Sequence, residues 1–182
     1  MNLFSIKDIE NLSGIKAHTW RVWESRYQIL QPKRTATNIR YYDNEELKLL
    51  LNIALLNKYG FKISEIDRMS PAQILEKIVS LNQLEAEQEK RINELIGYMA
   101  DVDMEGFESV VDDCIARKGL MNTSTRVLFP FLEKIGRLWL TNHINPAQEH
   151  LVTNVIRQKL IVGIEGAFSH LNVNRTVMLF LP

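Results

Sequence analysis

The chain has almost none of the residue type that forms covalent cross-links. Its 182 residues include one cysteine, Cys114, so an internal disulfide framework is excluded. Cys114 lies in the helical pattern of residues 110–115, where we expect a small buried side chain. A lone thiol suits a reducing compartment, and the sequence therefore predicts a cytoplasmic protein.

Long apolar runs are also missing. No stretch approaches the roughly 20 apolar residues that a membrane-spanning helix needs. The first eight residues contain neither the charged region nor the apolar core of a secretory signal peptide. We therefore expect no membrane partner.

The signatures of several enzyme classes are absent. The sequence has no Gly-rich phosphate loop and no nucleophile elbow. His143, Glu149 and His150 come nearest to a metal site, but their H-x5-E-H spacing fits neither H-E-x-x-H nor H-x-x-E-H. In both of those motifs two histidines share one helical face. A metal-dependent enzyme is therefore the least favoured hypothesis, and we expect a protein without enzymatic activity.

Charge is balanced overall but not along the chain. Residues 1–68 contain 11 Lys and Arg against 8 Asp and Glu, which gives a net charge of +3. Residues 69–182 contain 11 against 14, which gives −3. The mild basic excess at the N-terminus favours contact with phosphate groups.

A helix-turn-helix pattern opens the chain. Ser5 and Asp8 form a capping-box-like start, and Gly14 is placed to end the first helix. A second helix is predicted from about Lys16 to Arg26, with core-facing residues Ile15, Trp20 and Trp23. The second helix of such a unit normally enters the major groove of DNA.

Several side chains in this region are of kinds that bind phosphates or base edges. Arginine offers a planar fork to either target, and threonine can meet both. The basic segment 31–42 is non-helical and ends in aromatic residues, as expected of a β-wing lying on the sugar-phosphate backbone. Asp43 then caps a third helix. We predict that the DNA-contacting residues are Lys16, His18, Thr19, Arg21, Arg26, Tyr27, Arg40, Tyr41 and Tyr42.

Motifs over about 65 residues carry a family resemblance. The runs Thr19-Trp20-Arg21, Trp23-Glu24 and Ile39-Arg40-Tyr41-Tyr42 resemble the winged helix-turn-helix domain of the MerR family. Residues 57–66 are similar to the end of that family's helix 3, its Gly turn and its helix 4. Two positions depart from the pattern: Val22 stands where an aromatic residue is common, and Lys16 replaces the usual Ser cap. The resemblance implies that the partner is double-stranded promoter or operator DNA.

The rest of the chain is predicted to be helical. Ser70 and Pro71 mark a boundary, and amphipathic segments follow at about 71–80, 83–100, 104–118, 121–140 and 146–170. Helices with such short connections pack as a four-helix bundle. The predicted fold is therefore mainly α. We divide it into a winged helix-turn-helix at 1–69, a linker helix at 70–82, a helical bundle at 83–174, and the start of a further domain at 175–182.

One end of the predicted bundle gathers chemically active side chains. Asn145 begins the last helix with Gln148 at its third position, which places Glu149 and His150 in the first two turns. Trp139 closes the preceding helix. Helix geometry therefore brings an indole plate, a hydrogen-bond acceptor and a metal-binding imidazole to one end, where a flat ligand can lie.

The W-x9-E-H spacing of Trp139, Glu149 and His150 resembles the helical cap of cobalamin-binding regulators of the CarA/CarH/LitR group. The resemblance implies that Trp139 packs against the upper axial group of adenosylcobalamin and that Glu149 hydrogen-bonds to it. It also implies that His150 approaches the cobalt once that group is lost. The group's lower ligand is a His in a following Rossmann-like domain with a D-x-H-x-x-G motif. That motif is absent here, and residues 176–182 are expected to be the first strand of that domain, so we do not expect tight cobalamin binding by these residues alone.

Three functions are compatible with these sequence patterns. The first is a MerR-type transcriptional regulator, expected to be a homo-oligomer, whose bundle senses cobalamin and, through adenosylcobalamin, light. The second is the same DNA-binding protein with a bundle that serves only oligomerisation or interaction. The third is the metal-dependent enzyme described above. His143, His170 and the acidic cluster of Asp101, Asp103, Glu105 and Glu108 are expected to be surface, helix-start or solvated groups.

Overall fold

The structure is a computed structural model that describes residues 3–28, 31–81, 84–139 and 145–168. Over these ranges the chain is mainly helical, in agreement with the predicted fold class. The N-terminal elements are α1 (Ile6–Ser13), α2 (Ala17–Arg26), β1 (Lys33–Arg34), β2 (Arg40–Tyr41), α3 (Asn44–Lys58) and α4 (Ile63–Ile66). The C-terminal elements are α5 (Pro71–Val79), α6 (Leu84–Asp101), α7 (Met104–Thr123), a π-helical segment (Ser124–Leu128), α8 (Phe129–Trp139) and α9 (Pro146–Phe168).

The predicted helix starts are confirmed where local caps determine them. Ser5 and Asp8 form a capping box on α1, and Gly14 ends that helix with φ 76°. Asp43 caps α3 in the same way, and Ser70 caps α5. Each cap satisfies backbone N–H groups that the first helical turn leaves without partners.

The two strands form a short antiparallel hairpin. Lys33 pairs with Tyr41, and Arg34 pairs with Arg40. A further antiparallel bridge joins Phe4 to Tyr42, with N–H to carbonyl distances of 2.8 and 2.9 Å. The predicted wing is therefore present and is attached to the residue that precedes α1.

A break in the C-terminal half falls where the sequence predicts it. Gly119, inside α7, has φ 76° and ψ 161°, which are not helical values. A residue with a side chain rarely adopts such a φ, and glycine does so without a steric cost. Residues 104–118 and the chain from 120 onward therefore run as two helical pieces. The π-helical segment continues the second piece into α8.

One hydrophobic core joins the two halves of the chain. The helix α3 packs against α6, and α1 packs against α8. A single cluster of buried side chains includes residues of both halves, from Phe4 in the first to Ile156 in the second. The helix α5, which we predicted as a linker, buries Ile74 and Ile78 and packs against α3. In space the winged-helix part (residues 3–66) and the bundle (α6 to α9) are therefore in direct contact.

The turn after α6 contains a strained residue. Val102 has φ 61°, in the left-handed region that β-branched side chains disfavour, and its side chain is half exposed. Asparagine tolerates this conformation and is common at helix ends. We expect Val102→Asn to raise the free energy of unfolding by about 1 kcal/mol, measured by urea denaturation. Val79→Asn, at the exposed end of α5, is the control, and a Val102→Asn protein no more stable than the parent would contradict the assigned strain.

Candidate functional site

The start of α2 is held by a residue from α1. The Glu10 carboxylate accepts hydrogen bonds from the Ala17 N–H at 3.0 Å and from the Lys16 ammonium at 3.1 Å. These bonds lower the pKa of the Glu10 carboxyl below its ordinary value, the backbone bond contributing most. Glu10 thus supplies the cap that a Ser side chain would give at position 16. The sequence alone does not point to Glu10, because its role depends on the packing of α1 against α2.

Most of the predicted DNA-contacting side chains are accessible. Those of Lys16, His18, Arg21 and Arg26 are exposed, and those of Thr19, Tyr27, Arg40 and Tyr41 are partly exposed. On the inner side of α2, Trp20 is buried and its indole N–H donates to the Ser13 hydroxyl at 3.2 Å. Trp20 also packs edge-on against Trp23, with ring centroids 5.1 Å apart. The second helix therefore has a packed inner face and a basic outer face.

The prediction that Tyr42 contacts DNA is corrected. Its side chain is only 5 % exposed, and its backbone pairs with Phe4. Burial raises the pKa of its phenol to about 12. The ring therefore belongs to the core, whereas the preceding Tyr41 remains partly exposed.

A carboxylate on α2 forms hydrogen bonds with an arginine on each strand of the wing. Glu24 accepts a hydrogen bond from the Arg40 Nε at 2.7 Å and one from the Arg34 Nη2 at 3.4 Å. The Glu24 side chain is only 15 % exposed, so these contacts are shielded from water more than ordinary surface pairs are. Lys33 is paired in turn with Asp43, the cap of α3. The wing is thereby fixed relative to both α2 and α3.

The start of α9 agrees with the sequence. The Ala147 N–H donates to the Asn145 side-chain oxygen at 3.0 Å, and the Asn145 N–H donates to Gln148 Oε1 at 3.3 Å. Gln148 does more than close this cap. Its side chain is buried, and its amide nitrogen lies 3.1 Å from the Met99 carbonyl and 3.3 Å from the Ala100 carbonyl.

The candidate cofactor residues are described only in part. Glu149 is partly exposed and His150 is exposed, whereas α9 buries the side chains of Gln148, Val152, Val155 and Ile156. The side chain of Trp139 lies outside the described residues, as do residues 140–144. The convergence of Trp139, Glu149 and His150 therefore stays a prediction. His143, His170 and the predicted strand at 176–182 also lie outside the described ranges.

The acidic cluster near the start of α7 has more than one role. Asp103 caps α7 by accepting the Gly106 N–H at 2.9 Å, as expected of a helix-start residue. Asp101 is exposed, as expected, and it also pairs with Lys48 and accepts a bond from the Asn44 side chain at 3.1 Å. Both partners belong to α3. Asp101 therefore helps to join the bundle to the winged-helix part.

Two other kinds of site are absent from the residues that the structure describes. In the part of the chain that the structure describes, no three His, Cys, Asp or Glu side chains are grouped so as to hold a metal ion. Among the helices of the same residues, none has the length and apolar character needed to cross a membrane.

Two known protein families match successive parts of the chain. Residues 4–73 match the family of MerR helix-turn-helix regulatory proteins, and residues 91–162 match the B12 binding domain family. The first match covers the winged-helix part and the first residues of α5, and the second covers most of the bundle. The chain therefore combines, in this order, a part that matches MerR helix-turn-helix proteins and a part that matches the B12 binding domain.

Two curated relatives are similar to the chain over most of its length. The HTH-type transcriptional repressor CarH of Myxococcus xanthus is 27% identical over 171 residues, which cover 90% of this chain and 57% of that protein. The HTH-type transcriptional repressor CarA of the same organism is 27% identical over 159 residues, which cover 85% and 50%. The chain thus spans about half the length of the curated relatives it matches.

Proposed function

We propose that the chain is the DNA-binding and upper-cap part of a transcriptional regulator controlled by cobalamin. The observation that carries the proposal is that a MerR-type helix-turn-helix and a segment matching a B12 binding domain share one hydrophobic core. A change in the bundle can therefore reach the DNA-binding helices through packed contacts. The partner is double-stranded DNA, and the protein acts in the cytoplasm as a repressor or activator without enzymatic activity.

The DNA-contacting surface is formed by α2 and the wing. The exposed side chains of α2 would enter the major groove, with Arg21 and Arg26 as principal contacts and Lys16, His18, Thr19 and Tyr27 beside them; their exposure supports this role. Arg40 and Tyr41 on the wing would contact the sugar-phosphate backbone.

The bundle would cover the upper face of cobalamin with Trp139, Glu149 and His150. The start of α9 is fixed by two caps, and it leaves a carboxylate and an imidazole accessible at the consecutive positions Glu149 and His150. This donor set suits a ligand that has a metal centre and polar substituents. When bound, adenosylcobalamin would supply a light-sensitive cobalt–carbon bond. Trp139 would pack against the upper group, Glu149 would accept a hydrogen bond from it, and His150 would lie beside the metal.

Cobalamin binding can be tested directly. The protein as it is encoded, with any residues that follow Pro182, is mixed in the dark with adenosylcobalamin and separated from free cofactor. A red protein whose affinity for selected DNA changes on illumination supports the proposal. A colourless protein would remove the cofactor from it, and an unchanged affinity would remove the light response.

We infer that cobalamin acts through the oligomeric state of the protein. Light scattering coupled to size-exclusion chromatography, with and without adenosylcobalamin, measures the expected homo-oligomer. A protein of the same mass in both states would oppose this part of the proposal.

A bundle that serves only interaction or oligomerisation is the competing function. The match of residues 91–162 to the B12 binding domain does not favour it. The double variant Trp139→Ala/His150→Ala separates the two functions in the protein as encoded. A normal DNA response to cobalamin in this variant would show that these side chains do not take part.

The Glu24 contacts predict an effect on DNA affinity. Glu24→Ala releases Arg34 and Arg40 from α2, so the wing must be ordered again each time DNA binds. Ordering two long side chains costs roughly 1–2 kcal/mol, so we expect about a tenfold loss of affinity. Fluorescence anisotropy with selected DNA measures the change. Glu76→Ala, at an exposed position on α5, is the control. Unchanged or tighter sequence-specific binding by Glu24→Ala would contradict the assigned role.

A further inference from the structure

The C-terminal end of α6 receives side chains from both halves of the chain. The last carbonyl groups of a helix have no partners within it. In α6, the Tyr98 carbonyl accepts the Asp103 N–H at 2.9 Å, and the Met99 carbonyl accepts the Val102 N–H at 3.1 Å. Further hydrogen bonds to the Met99 and Ala100 carbonyls come from side chains of other helices. They involve Gln148 of α9 and Asn44 of α3.

The Ala100 carbonyl is shared by these two side chains. The Asn44 amide nitrogen donates to it at 2.9 Å, and the Gln148 amide nitrogen donates to it at 3.3 Å. Gln148 also donates to the Met99 carbonyl at 3.1 Å. One carbonyl oxygen therefore lies between the first turn of α9 and the first turn of α3.

Each of these two side chains lies next in sequence to residues connected with a proposed binding surface. Gln148 directly precedes Glu149 and His150 at the start of α9. Asn44 follows Asp43, which caps α3 and pairs with Lys33 of the wing. A short path of hydrogen bonds and one ion pair thus joins the proposed cofactor end of the bundle to the proposed DNA-contacting wing.

Burial makes this arrangement sensitive to displacement. The Gln148 side chain is only 6 % exposed, so water cannot readily replace its bonds to the two carbonyls. If the first turn of α9 moves, Gln148 either leaves these carbonyls without its donor or pulls the end of α6 with it. In the second case Asn44, and with it the start of α3, must follow or lose its own bond.

We propose that Gln148 and Asn44 are positioning residues that couple the cofactor-binding end of α9 to the DNA-binding part through the Ala100 carbonyl. This inference rests on the proposed function for the identity of the two ends. The contact itself is a property of this chain and can be tested without cofactor.

The first experiment measures the coupling in the protein without cobalamin. Gln148→Met keeps the side-chain volume but removes the donor, and Gln158→Ala, at an exposed position on the same helix, is the control. Hydrogen–deuterium exchange is followed at the end of α6, where Gln148 forms its hydrogen bonds, and at residues 43–47, at the start of α3. We expect Gln148→Met, but not Gln158→Ala, to accelerate exchange at 43–47 by about threefold or more, because the local opening free energy falls.

The second experiment measures the response to cobalamin in the protein as encoded. The ratio of DNA affinities with and without adenosylcobalamin is compared for the parent, Gln148→Met, Asn44→Ala and the double variant. We expect each single variant to reduce that ratio by about fivefold, and the double variant to reduce it no further, because the two residues act on one path. Circular dichroism checks that each variant is folded, and Asn44→Ala tests the path from its other end if Gln148→Met does not fold.

The outcomes separate this inference from the proposed function. A parent protein whose DNA affinity ignores cobalamin overturns the proposed function, and the exchange experiment then still decides whether the coupling exists. A parent that responds, together with single variants that respond equally and show unchanged exchange at 43–47, overturns the coupling alone. Additive losses in the double variant would also overturn it, because they would indicate two independent paths.

Discussion

Replacing Phe107 with alanine is expected to lower the free energy of unfolding by about 3–5 kcal/mol. Phe107 is fully buried in α7, and its ring lies 5.4 Å from that of Phe131 in α8 at an angle of 59°. Its loss removes apolar contacts and leaves a cavity that the surrounding helices can fill only partly. Urea denaturation followed by circular dichroism measures the change. Phe129→Ala, which removes a ring that is 54% exposed, is the matched control and should cost far less.

The same experiment tests whether the chain unfolds as one unit. In a Trp139→Phe background the remaining tryptophans, Trp20 and Trp23, report on the winged-helix part, whereas circular dichroism reports on all helices. Because one core joins the two halves, fluorescence and circular dichroism should give coincident transitions, and Phe107→Ala should shift both. A fluorescence transition that stays in place while the helical signal moves would show that the two halves unfold independently.

The second large effect concerns DNA. Arg21 is exposed on α2, and its planar guanidinium can bind a guanine edge or a phosphate. We expect Arg21→Ala to weaken binding to selected DNA by about 10- to 100-fold, which corresponds to roughly 1–3 kcal/mol. Fluorescence anisotropy at several salt concentrations gives both the affinity and its salt dependence.

The salt dependence distinguishes the two kinds of contact. A lost phosphate contact weakens binding to all sequences and reduces the salt slope by about one, whereas a lost base contact relaxes the sequence preference at one position. Lys77→Ala on α5 removes an exposed positive charge outside the predicted surface and serves as the control. Equal effects of Arg21→Ala and Lys77→Ala would mean that α2 does not enter the groove.

The caps of this protein could be predicted from its sequence. The starts of α1, α3, α5 and α9 were predicted from residues within four positions of each other, and the hydrogen bonds of Ser5, Asp43, Ser70 and Asn145 confirm them. The break near residue 119 was predicted equally well. These features are local because they depend on the first and last turns of single helices. The resemblance of the two parts to MerR proteins and to cobalamin-binding regulators was predicted for a similar reason, since the motifs are short runs with a defined order.

The tertiary structure alone decided the features that depend on packing between distant residues. Asn44 and Ala100 are 56 positions apart, and Gln148 and Ala100 are 48 apart, so no helical or strand period relates them. The burial of Tyr42 and the Glu24 contacts with the wing likewise depend on how α1, α2 and the wing meet. Local periodicity specifies which face of a helix is apolar, but it does not specify which element covers that face. The sequence by itself therefore determined the helices, their caps and the families that the two parts resemble, whereas packing determined which side chains stand at the surface and how the two halves are joined.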